Sequence, residues 1–139
     1  MFSSELNELT DGNTLDWMGR RVLIVDDEPY LLRILSFKLR REGYDTLESR
    51  SAEQAECLIG EHSVDLIILD VALATPTNGF DLAAKLQRNA KTRHIPVIML
   101  TARGFSADVL RGREVGAAGY ITKPFSTEDV IARVKAILG

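Results

Sequence analysis

Val22-Leu23-Ile24-Val25-Asp26-Asp27-Glu28-Pro29 holds four apolar residues in a row, then three acids, then a proline. An apolar run without alternation predicts a strand buried on both faces, as in a parallel sheet covered by helices. Pro29 suits the first turn of a following helix. Leu31, Leu35 and Leu39 give that helix an i, i+4, i+8 apolar stripe, and Gly43 is placed to stop it. The stretch reads as one β-strand feeding one α-helix, with acids at the junction.

The same unit repeats. Tyr44–Leu47 is a weak strand, and Ser51 with Gln54 forms a capping box that opens a helix through about Ile59. Val64–Leu69 is the second strong strand and ends at Asp70. After a loop with Pro76 and Gly79, Phe80–Asn89 reads as a helix, and Pro96–Leu100 is a third buried strand ending at Thr101. Ser106 caps a helix running to about Val115, with Gly116 behind it. Gly119–Thr122 is a short strand followed by Lys123–Pro124, and Ser126 caps a last helix striped by Val130, Val134 and Ile137. Five strands alternating with five helices predict an α/β, doubly wound parallel sheet with right-handed crossovers. Ligands of such sheets bind beyond the carboxyl ends of the strands.

Composition bounds the rest. The 139 residues suit one domain, here 21–139, with 1–20 as an acidic, Ser/Asn/Thr-containing extension whose Leu6, Leu9, Leu15, Trp17 and Met18 dock on the domain or on a partner. Seventeen Lys plus Arg against twenty Asp plus Glu give a net charge of −3, which argues against nucleic acid or an anionic membrane as the main partner. The cations of Lys85–Arg93 read as a solvated face. Cys57 is the only cysteine, so no disulfide forms within the chain; a reducing cytoplasm is expected, with Cys57 as a small buried filler. No export signal and no apolar run of membrane-spanning length is present.

The strand ends carry the chemistry. The first ends in Asp26–Asp27, the third in Asp70, the fourth in Thr101 and the fifth in Lys123. Three acids gathered in one crevice raise one another's pKa unless a cation joins them. An oxygen-only donor set with room for water suits Mg²⁺. Lys123 adds an ammonium that can pair with a carboxylate or a phosphoryl oxygen.

The set V-D-D-E (25–28), L-D (69–70), L-T-A (100–102) and Y-I-T-K-P-F (120–125) resembles the receiver domain of two-component response regulators. The spacings, 31 residues from Asp70 to Thr101 and 22 from Thr101 to Lys123, agree with it. The resemblance covers about residues 20–138. It implies a flavodoxin-like receiver fold with sheet order 2-1-3-4-5. Asp70 is then implied as the phosphoacceptor, a carboxylate nucleophile supplied by a histidine kinase or a histidine phosphotransfer protein. It implies Mg²⁺ held by Asp27, by Asp26 partly through water, by Asp70 and by the backbone carbonyl of Ala72. Lys123 would bind a phosphoryl oxygen, Thr101 would turn its hydroxyl toward that group, and Tyr120 would be the switch aromatic. The Lys123–Pro124 bond would be cis. Arg103 would shield the phosphoryl group, and Ala72 would be too small to place a hydrolytic water.

Two departures stand out. Most receivers carry a proline four residues after the phosphoacceptor and a glycine eight after; here Pro76 comes at six and Gly79 at nine. DNA-binding members often read G-A-D-D-Y where this chain has Gly116-Ala117-Ala118-Gly119-Tyr120, while Arg133 keeps the matching basic position. The lost acids favour a different protein over a second copy of this chain as the downstream partner. The expected output face is the surface of the 106–115 helix, the fifth strand and the last helix, with no output domain following. Among rivals, a phosphatase of the haloacid-dehalogenase type wants Asp-x-Asp, and Glu28 stands where its second Asp belongs. A phosphate- or dinucleotide-binding loop needs glycines after the first strand, and none occur. A receiver-like interaction module without phosphorylation is the remaining alternative.

Overall fold

The computed structural model describes residues 19–73, 77–101 and 114–139. Five strands are present: β1 Arg21–Val25, β2 Asp45–Ser49, β3 Leu66–Asp70, β4 Val97–Thr101 and β5 Gly119–Thr122. Among the described residues the helices are α1 Pro29–Arg41, α2 Ala52–Glu61, α3 Gly79–Arg88 and α4 Thr127–Leu138. The sheet is parallel throughout, in the order β2-β1-β3-β4-β5. The helix expected over 106–115, most of the 1–20 extension and Arg103 lie outside the described residues.

Alternation along each strand sends successive side chains to opposite faces, and this divides the core in two. Leu23, Val25, Ile67, Leu69 and Met99 meet Ala52 and Ala55 of α2 and Leu82, Ala83 and Leu86 of α3. On the other face Val22, Ile24, Leu66, Ile68, Ile98 and Leu100 meet Leu32, Leu35 and Leu39 of α1 and Val130 and Val134 of α4. β3 and β4 are buried at every position, which explains their unbroken apolar sequence. β2, at the sheet edge, is buried at only two of five positions, and its sequence signal is correspondingly weak.

Helix ends follow local chemistry. The Ser51 hydroxyl accepts from the Gln54 amide at 3.0 Å, and Gln54 Oε1 accepts from the Arg50 amide at 3.0 Å, a capping box reaching one residue further back than usual. Asn78 caps α3 by accepting from the Asp81 amide at 2.9 Å. At the end of α1 the Gly43 amide donates to Arg40 and the Tyr44 amide to Leu39, with Gly43 at φ 98°, a Schellman close in which Leu39 and Tyr44 share one core.

Two expectations are corrected. Cys57 is exposed, not a buried filler. The buried face of α2 runs through Ala52 and Ala55, and a residue two beyond Ala55 lies about 200° around the helix. A thiol reagent should therefore label Cys57 in the native protein about as fast as in denaturant; protection in the native state would contradict this placement. In α4, Ile137 is exposed and Leu138 packs on the core instead, so the stripe is Val130, Val134, Leu138. Among the described residues no helix is long and apolar enough to cross a membrane.

Candidate functional site

β1 and β3 are neighbours in register, with Val25 beside Leu69, so Asp26 and Asp70 leave the sheet side by side. The strand ladders continue one step past their ends. The Asp26 amide donates to Ser49 O at 3.0 Å, Val71 to Leu100 O at 2.8 Å and Lys123 to Thr101 O at 2.6 Å. These bonds fix the backbone under each polar side chain. Asp26, Asp70 and Thr101 are buried, and Asp27 is half-buried.

Asp26, Asp27 and Asp70 each offer a carboxylate oxygen, and the three oxygens lie within 4.8 Å of one another. Lys123 reaches in from beyond β5, its Nζ 3.0 Å from Asp26 Oδ2 and 3.6 Å from Asp70 Oδ2. The Glu28 amide donates to Asp26 Oδ1 at 2.9 Å, and the Ala72 amide donates to Asp70 Oδ1 at 3.1 Å. The Lys123–Pro124 bond is cis. The structure thus brings together Asp26, Asp27, Asp70, Ala72 and Lys123, with Thr101 at the end of the adjacent β4.

Burial, then the charge of Asp26, pushes the Asp70 carboxyl above its ordinary value against the opposing pull of the Ala72 amide and Lys123. Burial alone would lower the Lys123 ammonium. Its hydrogen bond to Asp26 and the charges of Asp70, Asp26 and Glu28 outweigh that and raise it, so Lys123 stays protonated. Three carboxylates against one ammonium leave the pocket anionic. Hard oxygen donors and an unneutralised charge fit a small divalent cation such as Mg²⁺. Magnesium at a hundred times its Kd should add about 2.7 kcal/mol of stability; a melting temperature unmoved at saturating Mg²⁺ would remove the cluster as a metal site. In chelator the sign of the pH dependence follows from Asp70. Between the ordinary carboxylate range and its raised folded value, the folded state holds a proton that the unfolded chain has lost. Metal-free stability should therefore fall as pH rises through that window, and Asp70→Asn should remove this fall.

Sequence reasoning missed one residue that shapes the site. Gly79, the first residue of α3, packs under Asp70: a Cβ there would lie 2.2 Å from the Asp70 carbonyl oxygen and 2.8 Å from Val71 Cα. Its amide donates to Val71 O at 3.1 Å. The available signal was the Asn78–Gly79 pair at a helix start.

Tyr120 pairs with Met99 across β4 and β5 and packs on the α2/α3 side of the sheet, whereas the next residue, Ile121, faces the α1/α4 side. Its hydroxyl is buried with no hydrogen-bond partner among the described residues. Arg133 folds back on β5, Nη1 donating to Tyr120 O at 3.2 Å; a Cβ on Gly119 would stand 3.0 Å from that same nitrogen.

The sequence pattern of the response regulator receiver domain matches residues 22–135. The chain belongs to that family. Among curated relatives this receiver is 44% identical over 121 residues to the phosphate regulon transcriptional regulatory protein PhoB of Pseudomonas aeruginosa, covering 87% of this chain and 52% of that protein. PhoB of Escherichia coli K12 is 41% identical over the same length. The chain spans about half the length of the curated relatives it matches. Among solved structures, a putative response regulator from Chloroflexus aurantiacus superposes with a TM-score of 0.80 at 34% identity, over 86% of this chain and 98% of that one. Vibrio cholerae chemotaxis protein CheY4 gives 0.81 at 26% identity, over 86% and 99%. The receiver fold of these structures has the five-stranded parallel sheet and strand order described above.

Proposed function

We propose that this receiver takes a phosphoryl group on Asp70 from a phosphohistidine of a histidine kinase or phosphotransfer protein and signals through a changed surface to a partner protein. One observation carries the reading: a buried carboxylate stands at the meeting point of two further carboxylates and a lysine ammonium. An Asp70 oxygen attacks phosphorus, an Asp70 O–P bond forms, and the P–N bond breaks with its electron pair leaving on the donor imidazole. Asp27, Asp70 and the Ala72 carbonyl would hold Mg²⁺, with Asp26 partly through water; when bound, the ion neutralises charge on the transferring group. Lys123 pairs with a phosphoryl oxygen, and Thr101 donates its hydroxyl to the same group. The protein is a signalling domain that catalyses only its own phosphorylation and dephosphorylation, in the cytoplasm.

Thr101 moving inward opens room for Tyr120, so the phosphoryl group shifts the balance between two existing states. The output face comprises β5, α4 and residues 106–115. Arg133, spent on the Tyr120 carbonyl, and Ala118 and Gly119 in place of acids favour a different protein as partner over a salt-bridged second copy. Beryllofluoride should shift amide resonances over 106–138 in the wild type. In Tyr120→Ala those distant shifts should shrink while those at Asp27 and Asp70 persist, and an identical response would make Tyr120 a packing residue only.

The test of the whole reading is direct. Incubated with Mg²⁺ and acetyl phosphate, the protein should gain one hydroxylamine-labile phosphoryl group by intact mass, mapped to Asp70. No added mass would return the chain to the alternative of an interaction module with the receiver fold alone.

A further inference from the structure

At the amino ends of β3 and β4, the edge of the sheet opposite the acidic cluster, the last turns of α2 and α3 border a cavity of about 570 Å³. That volume is in the range of small-molecule sites. Its apolar wall is Ile59 of α2, Leu86 of α3, and Val64 and Ile95, each two residues ahead of its strand. Val64, Leu86 and Ile95 also belong to the α2/α3 core, so packing that the fold already needs holds the wall in place.

The rim is polar and lopsided in charge. Lys85, Lys91 and both of the chain's histidines, His62 and His94, line it, with Glu56 as the one acid. Glu56 is spent on Lys85, 2.8 Å from its Nζ, in a bridge that ties α2 to α3. Among the described residues Lys91 has no acidic partner, and neither imidazole has a hydrogen-bond partner. Each imidazole therefore keeps an N–H donor and a flat face for a ligand. The stretch Lys85–Arg93 carries four cations and no acid. Glu61 and the carbonyl ends of the two helices, each end worth about half a negative charge, offset part of that excess and leave it positive.

A hydrogen-bonded turn holds Lys91 at the rim. Asn89 Oδ1 accepts from the Lys91 amide at 2.9 Å, and the Thr92 hydroxyl donates to Leu86 O at 2.7 Å. The Arg93 amide donates to Asn89 O and the Ile95 amide to Thr92 O, both at 2.9 Å. These bonds join the end of α3 to the start of β4 without using the Lys91 ammonium or either imidazole. A free cation is thus set over a fixed apolar wall.

We propose that this cavity binds a small aromatic anion, its ring against Ile59, Val64, Leu86 and Ile95 and its acidic group on Lys91 and an imidazole N–H. An apolar wall alone would accept any hydrophobe, and a cationic rim alone would accept inorganic phosphate. Together they select a molecule that carries both features. The cavity lies one five-residue strand, about 16 Å, from Asp70, so both sites can be filled at once.

The probe is anilinonaphthalene sulfonate, with uncharged phenylnaphthylamine as its neutral counterpart. In the full chain the sulfonate should bind one site, shifting amide resonances over 59–64 and 85–95 and leaving those of Asp26 and Asp70 in place. The neutral amine should bind several-fold more weakly. Lys91→Glu should weaken sulfonate binding about ten-fold, the loss expected for a charge-assisted hydrogen bond, while Lys91→Arg keeps it. Gly60 lines the cavity where an added Cβ would meet nothing within 4 Å, so Gly60→Phe should fill the space and abolish binding in a folded protein. Equal affinity for the neutral amine, shifts centred elsewhere, or indifference to Lys91→Glu or to Gly60→Phe would each overturn the proposal.

Discussion

Asp70→Asn is expected to abolish phosphoryl incorporation while leaving the protein folded and, without metal, more stable. The amide is isosteric with the carboxylate and keeps an acceptor for the Ala72 amide, now at 3.1 Å. It has no anionic oxygen to attack phosphorus, so no acyl phosphate forms. Burial and Asp26 already push the Asp70 carboxyl up, which means that its ionised form is costly where it stands. Removing that charge relieves the cost, while Lys123 keeps Asp26 at 3.0 Å. Each kcal/mol gained raises the melting temperature by about 3 °C in a domain of this size. The Mg²⁺-dependent gain should shrink in the same variant. Intact mass and melting curves, with and without Mg²⁺, check all three. Equal labelling of the variant would move the phosphoacceptor elsewhere, and a lowered metal-free melting temperature would contradict the electrostatic account.

Gly79→Ala should be the most damaging single methyl in the described domain. The added carbon would sit 2.2 Å from the Asp70 carbonyl oxygen and 2.8 Å from Val71 Cα, backbone atoms that cannot rotate away. Either α3 retreats from β3, or the Asp70–Val71 backbone moves and takes the carboxylate with it. Overpacking of this kind costs about 3 kcal/mol, a fall of about 10 °C. Phosphorylation by acetyl phosphate should slow as Asp70 leaves its register with Asp26 and Lys123. Gly60 supplies the control. It lies in α2, where an added Cβ would meet nothing within 4 Å, so Gly60→Ala should raise stability by up to about 0.5 kcal/mol. Melting curves of the two variants should move in opposite directions; a neutral Gly79→Ala would show that α3 can give way without cost.

How much of this was legible in the sequence depends on what fixed each feature. β3 and β4 are buried on both faces, and an unbroken apolar run has no other use in a short segment, so they read plainly. The convergence of Asp26, Asp27, Asp70 and Lys123 read equally well because a parallel sheet places the ends of its strands in one crevice. Edge position blurred β2. Cys57 misled because its sequence neighbours Ala55 and Leu58 are not its neighbours around a helix. Ile137 and Leu138 exchanged roles through one residue of helix phase. The part played by Gly79 was hidden, since it depends on how closely α3 approaches the backbone of β3.

The hydrogen bond from the Gly79 amide to Val71 O closes the connection between β3 and α3 at its base. Everything from residue 72 to 78 is then an excursion whose two ends are tied to each other, independently of its length. Lengthening a closed seven-residue loop by one costs only about 0.1 kcal/mol of closure entropy. Insertions and deletions beyond Ala72 can therefore be absorbed at little thermodynamic cost, provided that the Val71–Gly79 clasp and the bond from the Ala72 amide to Asp70 survive. The extra residue in this chain fits that view, and the loop becomes a natural graft point for a foreign peptide beside the reactive carboxylate.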